Sequence, residues 1–162
     1  MKHRRISALC AALLIVAMLI APVSAFADSK VMIMKVTADG ARVRKGAGNY
    51  DVLTSVKKGG KVFYLGKTKN SFAYVRTSSG VVGYMFKNYL KPYGTCYKSQ
   101  VYYSKKNKVK VYKKASTHSK NVTRLSKNQH VIVYQVKGSW AYIKTLSGTG
   151  GYVKKSNLKK AS

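Results

Sequence analysis

The chain has 162 residues with 32 Lys and Arg against 3 Asp and Glu, so its formal net charge is +29 at pH 7. All three acidic residues are aspartates, which leaves few carboxyl groups for acid–base catalysis. Charge this one-sided destabilises a compact chain by self-repulsion and attracts polyanions, whereas solubility alone would be served by mixed charges. The composition therefore favours a polyanionic neighbour.

The sequence begins with the pattern of a secretory signal peptide, which we assign to residues 1–27. Basic residues near the N-terminus precede residues 8–21, which are apolar but too few to span a bilayer comfortably, and residues 24–27 read Ser-Ala-Phe-Ala. We expect this signal-peptide helix to be cleaved before Asp28, with an uncleaved membrane anchor as the alternative. Cleavage lowers the charge from +29 by three to +26 and leaves no integral membrane span, so the protein is predicted to be secreted, extracellular or cell-wall associated.

Cleavage also leaves a single cysteine, Cys96. One cysteine cannot cross-link a domain internally, so the fold has to be held by its apolar core. We expect Cys96 to be a linker thiol without a role, and the alternative is a bridge that joins two molecules into a dimer.

The remainder of the sequence contains one pattern twice. Aligned at an offset of 68 positions, residues 71–91 and 139–159 share 11 identities in 21 positions. Upstream, residues 41–47 correspond to residues 109–115. Two copies of about 60 residues indicate tandem small domains, because a solenoid usually needs three or more repeats.

Both copies have the sequence pattern of β-strands. Ala41 and Val43 alternate with Arg42 and Arg44, and residues 108–111 repeat this alternation of basic and apolar residues. Later runs are rich in β-branched and aromatic residues and are separated by turns that contain glycine. These runs cover residues 61–65, 71–75, 131–134 and 139–143.

A domain of about 60 residues is marginally stable alone, and closing a sheet into a small barrel removes its exposed edges. We therefore predict an all-β protein of two tandem small barrels. Domain one is assigned to residues 28–92, a short linker to residues 93–99 and domain two to residues 100–162.

The repeated motifs resemble those of bacterial SH3 (SH3b) domains. Residues 41–48, ARVRKGAG, resemble the opening motif of that family, residues 71–75 are similar to its aromatic strand, and residues 80–90 to its closing motif. The second copy keeps the latter two motifs, but Tyr112 and Lys114 replace an arginine and a glycine of the opening. The resemblance implies SH3-like barrels of five to six strands in an exported bacterial protein. Such domains commonly bind peptidoglycan and often tether a hydrolase to it.

The sequence predicts no catalytic, metal or cofactor site. The three aspartates do not recur in the second copy, and glycoside hydrolysis needs two facing carboxyl groups. Cys96, His118 and His130 occur in the order of a cysteine peptidase, but no helix is predicted to activate Cys96. These three residues also lack metal-ligand spacing. We therefore expect a binding protein that is not an enzyme.

Aromatic and basic residues are the candidates for ligand contact, since Tyr and Trp provide large, stiff surfaces with a polar tip. Tyr84, Tyr152, Phe72 and Trp140 are predicted to pack structurally, although the indole edge of Trp140 is also a candidate contact. The candidate ligand-binding residues are Tyr50, Tyr89, Tyr112, Trp140, Arg42, Arg44, Lys106, Lys108, Lys110, Lys113 and Lys114.

The lysines of this set are expected to form one basic surface. Lys106, Lys108 and Lys110 are predicted to share one face of a strand edge, which Lys113 and Lys114 continue. Such a row can simply protect an edge strand from aggregation, but a second copy without acidic residues exceeds that need. We therefore expect contact with phosphate or carboxylate polymer.

The predicted function is that of a secreted, non-catalytic cell-wall-binding protein whose partners are peptidoglycan and anionic wall polymers. Two weak sites on one repetitive polymer would gain avidity. The alternatives are a secreted protein that binds nucleic acid or host glycan through charge, and a targeting subunit for a separate wall hydrolase.

Overall fold

The structure is a computed structural model that describes residues 29–161, so the predicted signal peptide and its cleavage site lie outside the described residues. The described part forms two antiparallel sheets of seven strands each. The first sheet contains β1 (Lys30–Val36), β2 (Ala41–Arg44), β3 (Val52–Val56), β4 (Lys61–Lys69), β5 (Phe72–Arg76), β6 (Val82–Phe86) and β7 (Leu90–Tyr97). The second contains β8 (Val101–Ser104), β9 (Val109–Tyr112), β10 (Asn121–Leu125), β11 (His130–Lys137), β12 (Trp140–Thr145), β13 (Gly150–Lys154) and β14 (Leu158–Lys160).

The two sheets have the same topology. The strand order is β3-β2-β6-β5-β4-β1-β7 in the first and β10-β9-β13-β12-β11-β8-β14 in the second. Short 3-10 turns at Lys87–Tyr89 and Lys155–Asn157 precede the last strand of each sheet. The all-β class and the tandem repeat are therefore confirmed. Each copy has more strands than the resemblance implies. Its first and last strands pair with each other and extend the sheet beyond its fourth strand.

Each sheet wraps around a core of its own, because nearly all of its strands contribute inward side chains to one cluster. The predicted alternation in β2 is present, since Ala41 and Val43 are buried while Arg42 is exposed. The first core contains Val36, Ala41, Val43, Val62, Ala73, Val75, Met85 and Leu90. The second contains Val109, Val111, Leu125, Val131, Val133, Ala141, Ile143, Val153 and Leu158.

The closing motif requires glycine at one position of each copy. A Cβ atom at Gly83 would lie 2.5 Å from the carbonyl oxygen of Arg44, and one at Gly151 would lie 2.8 Å from that of Tyr112. Glycine therefore lets β6 approach β2, and β13 approach β9, closely enough to continue the sheet.

The residues assigned to the linker, 93–99, lie within β7 and the 3-10 turn that follows it. Tyr93–Tyr97 completes β7, which pairs with β1 over its whole length, and Lys98–Gln100 forms a 3-10 turn that leads into β8. Pro92 and Gly94, which suggested a break, flank a register shift in this edge strand. Edge strands and bulges tolerate proline and glycine, so these residues bend the strand without ending it.

The two copies also pack against each other. A third apolar cluster draws on both sheets, and it consists of Ile33, Phe63, Cys96, Val101, Ile132, Leu146 and Ala161. The backbone N–H of His130 donates to the carbonyl oxygen of Ser78 across this contact at 2.8 Å. We call the contact the interdomain interface.

Cys96 belongs to this interface and is only 6% exposed. Its position corrects the expectation of a linker thiol without a role, because its side chain packs between the copies. A disulfide to a second molecule would require the interface to open. Within residues 29–161, no helix is long and apolar enough to cross a bilayer.

Candidate ligand-binding faces

The first sheet carries an aromatic surface on the side that faces away from its core. In β5 and β6 the small or apolar residues point inward, so Phe72, Tyr74, Tyr84 and Phe86 are left half-buried on the outer side. Phe72 pairs with Phe86 and Tyr74 pairs with Tyr84, with ring centroids 5.5 and 4.9 Å apart. Tyr89 meets the Phe86 ring edge to face at 5.3 Å.

Basic residues border these rings. Arg44 lies opposite Tyr84 in the pairing of β2 with β6, and Arg42 lies on the same side of β2. A cleft of about 480 Å³ forms here, lined by Asp39, Gly40, Arg42, Arg44, Phe72, Phe86 and Tyr89. We call the outer surface made of Arg42, Arg44, Phe72, Tyr74, Tyr84, Phe86 and Tyr89 face one.

The second sheet has an equivalent surface. Tyr142 pairs with Tyr152 at a centroid distance of 5.1 Å, and Tyr112 meets the Trp140 ring at 5.7 Å with an interplanar angle of 87°. The Nζ atom of Lys154 lies 4.4 Å from the Trp140 centroid, which is a cation–π contact. A cleft of about 610 Å³ is lined by Lys113, Lys114, Ala115, Gln135, Lys137, Trp140, Tyr142 and Tyr152. We call these lining residues together with Tyr112 and Lys154 face two.

The two faces share a tyrosine pair and differ beside it. The pair Tyr74–Tyr84 recurs as Tyr142–Tyr152 at the offset of 68 positions. The contact between Phe72 and Phe86 in face one corresponds to the contact between Trp140 and Lys154 in face two. Arg44 of face one corresponds to Tyr112 of face two. Each face therefore keeps rings and cations together, but the cation comes from a different strand.

The loop after β2 is closed by Tyr50 in the first copy. Arg44 Nη1 donates to the carbonyl oxygen of Tyr50 at 2.7 Å. The Tyr50 ring covers Gly46, since a Cβ atom there would lie 2.5 Å from ring atom Cδ2. In the second copy Lys114 takes the place of Gly46 and its backbone N–H donates to Ser119 Oγ at 2.9 Å. The two loops therefore differ in structure, as the divergent opening motif implied.

The predicted lysine row is wrong in part. Residues 105–108 form a bend and a turn, and Lys108 has a φ of +57°, so Lys106 and Lys108 do not extend along a strand. Only Lys110 belongs to β9, where it lies on the same side as Tyr112. A residue with a positive φ allows the chain to turn before β9, and the run of basic residues gave no sign of this turn.

The structure brings most other candidates to the two faces. Arg42, Arg44 and Tyr89 lie in face one, and Tyr50 contacts it through Arg44. Tyr112, Trp140, Lys113 and Lys114 lie in face two. Placement on a common surface leaves their role in ligand binding a prediction.

Sequence reasoning missed the tyrosine pairs, Phe86 and Lys154. Tyr84 and Tyr152 were expected to pack structurally, yet neither belongs to the core clusters of its sheet. The signal was present in the period of two, because residues that alternate with buried Ala73 and Val75 must point to the other side of β5.

His130 is the titratable residue with a clear electrostatic perturbation in residues 29–161. It is 7% exposed within the interdomain interface, and its Nδ1 atom donates to the carbonyl oxygen of Asn128 at 2.9 Å. Burial and the nearby Arg76 guanidinium lower the pKa of His130. The described residues contain no group of three or more His, Cys, Asp or Glu that could hold a metal ion.

A comparison with family models agrees with this architecture. A family model described as "Bacterial SH3 domain" matches residues 39–91 and again residues 107–159. No curated protein matches the chain. Among solved structures, NlpC2 from Trichomonas vaginalis is 17% identical with a TM-score of 0.35, over 81% of this chain and 48% of that one. NlpC1 from Trichomonas vaginalis is 19% identical with a TM-score of 0.35, over 81% of this chain and 46% of that one.

The chain therefore spans about half the length of those two NlpC proteins. The family matches together cover more than half of its residues, and each falls on one of the two sheets. The chain belongs to the bacterial SH3 domain family and contains two tandem copies of the domain.

Proposed function

We propose that this protein is a secreted, non-catalytic binding protein of the bacterial cell wall, in which faces one and two recognise peptidoglycan. Its basic surface adds attraction to anionic wall polymers. Domains of this family typically bind cell-wall components and are extracellular or wall-associated, and both matched regions are such domains. The same binding would let the protein direct a separate wall hydrolase to its substrate.

The recurrence of a tyrosine pair on the outer side of each sheet, beside cations and at equivalent sheet positions, is the observation that carries this proposal. Each barrel has an apolar core of its own, so the rings on the outer side are not needed to fill that core. Half-buried rings on a rigid sheet offer contact area at low entropic cost, which is typical of binding hot spots.

Charge contributes in a second way. Asp39 and Asp51 are the only acidic residues between 29 and 161, and no acidic residue lines the cleft of face two. Lysine side chains act there as mobile point charges rather than as rigid hydrogen-bonding forks. They would attract phosphate or carboxylate groups of a wall polymer without selecting one geometry.

The experiment is sedimentation with purified sacculi, prepared with and without teichoic acid, at low salt and at about 0.5 M salt, where charge interactions beyond a few ångströms are screened. The matched variants are Tyr84→Ser in face one and Tyr152→Ser in face two. We expect each to weaken binding at high salt about tenfold, which corresponds to about 1.4 kcal/mol. Binding by the double variant should fall further than by either single variant.

The control is Tyr93→Ser, which removes an exposed tyrosine from β7, away from both faces. It should bind sacculi as the unmodified protein does. Circular dichroism of every variant establishes that the sheets are intact. Unchanged high-salt binding by the double variant would refute recognition through the two faces.

Charge alone favours a second candidate, a secreted protein that binds polyanions such as nucleic acid or host glycan. In that case affinity for duplex DNA falls linearly with the logarithm of salt concentration, with a slope of about −0.9 per phosphate neutralised. Complete release from sacculi at 0.5 M salt, together with such a slope for DNA, would support this candidate over peptidoglycan recognition.

A further inference from the structure

A third cleft lies at the junction of the two copies and contains no residue of face one or face two. Its volume is about 450 Å³, within the usual range for small-molecule sites. The first copy contributes β1, β4 and β5, and the second contributes its first strand and its last residues. The lining residues are Ser29, Lys30, Val31, Met32, Phe63, Tyr64, Leu65, Gly66, Arg76, Lys98, Val101 and Ala161.

The apolar wall of this cleft continues the interdomain interface. Phe63, Val101 and Ala161 belong to the interface cluster, and Val31 and Leu65 pack against it while remaining partly exposed. Apolar side chains that stay partly exposed, as Val31 and Leu65 do, leave apolar area that a bound group can remove from water. The wall could therefore take up an apolar group.

The charges of the cleft all have one sign. Lys30, Arg76 and Lys98 line it, and none of its lining residues within 29–161 is acidic. Arg76 is half-buried at the end of β5, and the same guanidinium lowers the pKa of His130 across the interface. A partly buried guanidinium with apolar neighbours is well suited to a carboxylate, which it can hold by two parallel hydrogen bonds.

A bulge in the first copy lines the cleft through Leu65 and Gly66. The pairing of β4 with β5 runs from Tyr64↔Val75 to Thr68↔Ala73, so three residues of β4 oppose one residue of β5. Gly66 lies in this bulge with a φ of +75°. In the second copy, the register shift between the equivalent strands β11 and β12 involves only one extra residue, Tyr134. The cleft is therefore a feature of the first copy and its junction, not of the repeated domain.

We propose that this cleft binds a single-chain anionic amphiphile, with its carboxylate at Arg76 and its apolar chain along the partly exposed Val31, Met32 and Leu65. Charge complementarity selects an anion, and the apolar wall selects a ligand with a hydrocarbon body. The site is independent of peptidoglycan binding through faces one and two.

The test uses the exported protein, labelled with ¹⁵N and titrated with decanoate while its amide signals are followed by NMR. Decanol, which lacks the charge, and acetate, which lacks the chain, are the matched ligands. We expect saturable shifts at residues 63–66 and 98–101 with decanoate, and much weaker binding of both matched ligands. Bound carboxylate offsets the field of Arg76, so the pKa of His130 should rise in the same titration.

The variant Arg76→Gln should weaken decanoate binding about tenfold, since a hydrogen-bonded charge is lost. Arg42→Gln, on face one, is the control and should leave it unchanged. If Arg76→Gln does not fold, Lys98→Gln at the exposed rim should still weaken decanoate binding. The proposal is overturned if decanoate does not saturate, if decanol binds equally well, if neither cleft variant weakens binding, or if the shifts lie on faces one and two.

Discussion

The interdomain interface predicts that a destabilising substitution in the first copy also lowers the stability of the second. Phe63 lies in β4 of the first copy, is 1% exposed and packs in a cluster that includes Val101, Ile132 and Leu146 of the second. Truncating a buried phenylalanine to alanine usually costs about 3–5 kcal/mol. Small domains are stable by about 5–15 kcal/mol, so Phe63→Ala should remove a large part of the stability of the coupled pair.

The single tryptophan allows this coupling to be measured. Trp140 lies on the second copy, so its fluorescence during urea unfolding reports that copy, while circular dichroism reports both. We expect Phe63→Ala to move the fluorescence transition to lower urea. The control is Phe72→Ala, a half-buried ring on face one, which loses one aromatic contact worth about 1 kcal/mol and should move the transition much less. A fluorescence transition unaffected by Phe63→Ala would show that the copies unfold independently and would refute the interface as a source of stability.

Two further predictions concern single residues. The pKa of His130 is lowered in the folded protein, so below its ordinary value of 6.5 the unfolded chain binds a proton more readily than the folded protein does. Stability should therefore be fully present above about pH 6.5 and decline at lower pH by at most about 1.4 kcal/mol per pH unit, as measured by thermal unfolding. His130→Gln should flatten this pH dependence, whereas His118→Gln, in an exposed loop, should not. Gly83→Ala should destabilise the protein by about 1–3 kcal/mol, because its Cβ would meet the backbone of β2 at 2.5 Å, whereas Gly94→Ala, with nothing within 4 Å, should cost little in urea unfolding. Equal midpoints for these two glycine variants would contradict the close approach of the strands.

The strand pattern and the repeat could be read from the sequence because each depends on local periodicity. Alternation in Ala41–Arg44 fixes which side of β2 faces the core, and the offset of 68 positions predicts two sheets of equal strand order. The outer aromatic pairs follow from the same alternation. They were missed because the repeated aromatic residues were expected to pack structurally, and the period of two was not followed through β5 and β6.

The interface depends on contacts between distant segments, so composition did not reveal it. A signal was nevertheless present in two uninterrupted apolar runs. Val62 and Phe63 are both buried although they point to opposite sides of β4, and Val131, Ile132 and Val133 are buried in succession in β11. A strand buried on both sides reads as a continuous apolar run rather than as an alternation. Which element covers the second side cannot be deduced from the run itself.

The short connection between the copies changes what two binding faces can accomplish. A flexible linker lets either site search for its ligand, and avidity then depends weakly on ligand spacing. Here β7 passes through one 3-10 turn into β8, and the interface cluster joins the copies, so faces one and two are held at a fixed separation. If both faces bind one polymer, binding gains avidity only where the polymer presents its groups at that separation. Because Arg44 in one face corresponds to Tyr112 in the other, the two faces would also contact chemically different parts of that polymer, and the protein would bind it in a single orientation.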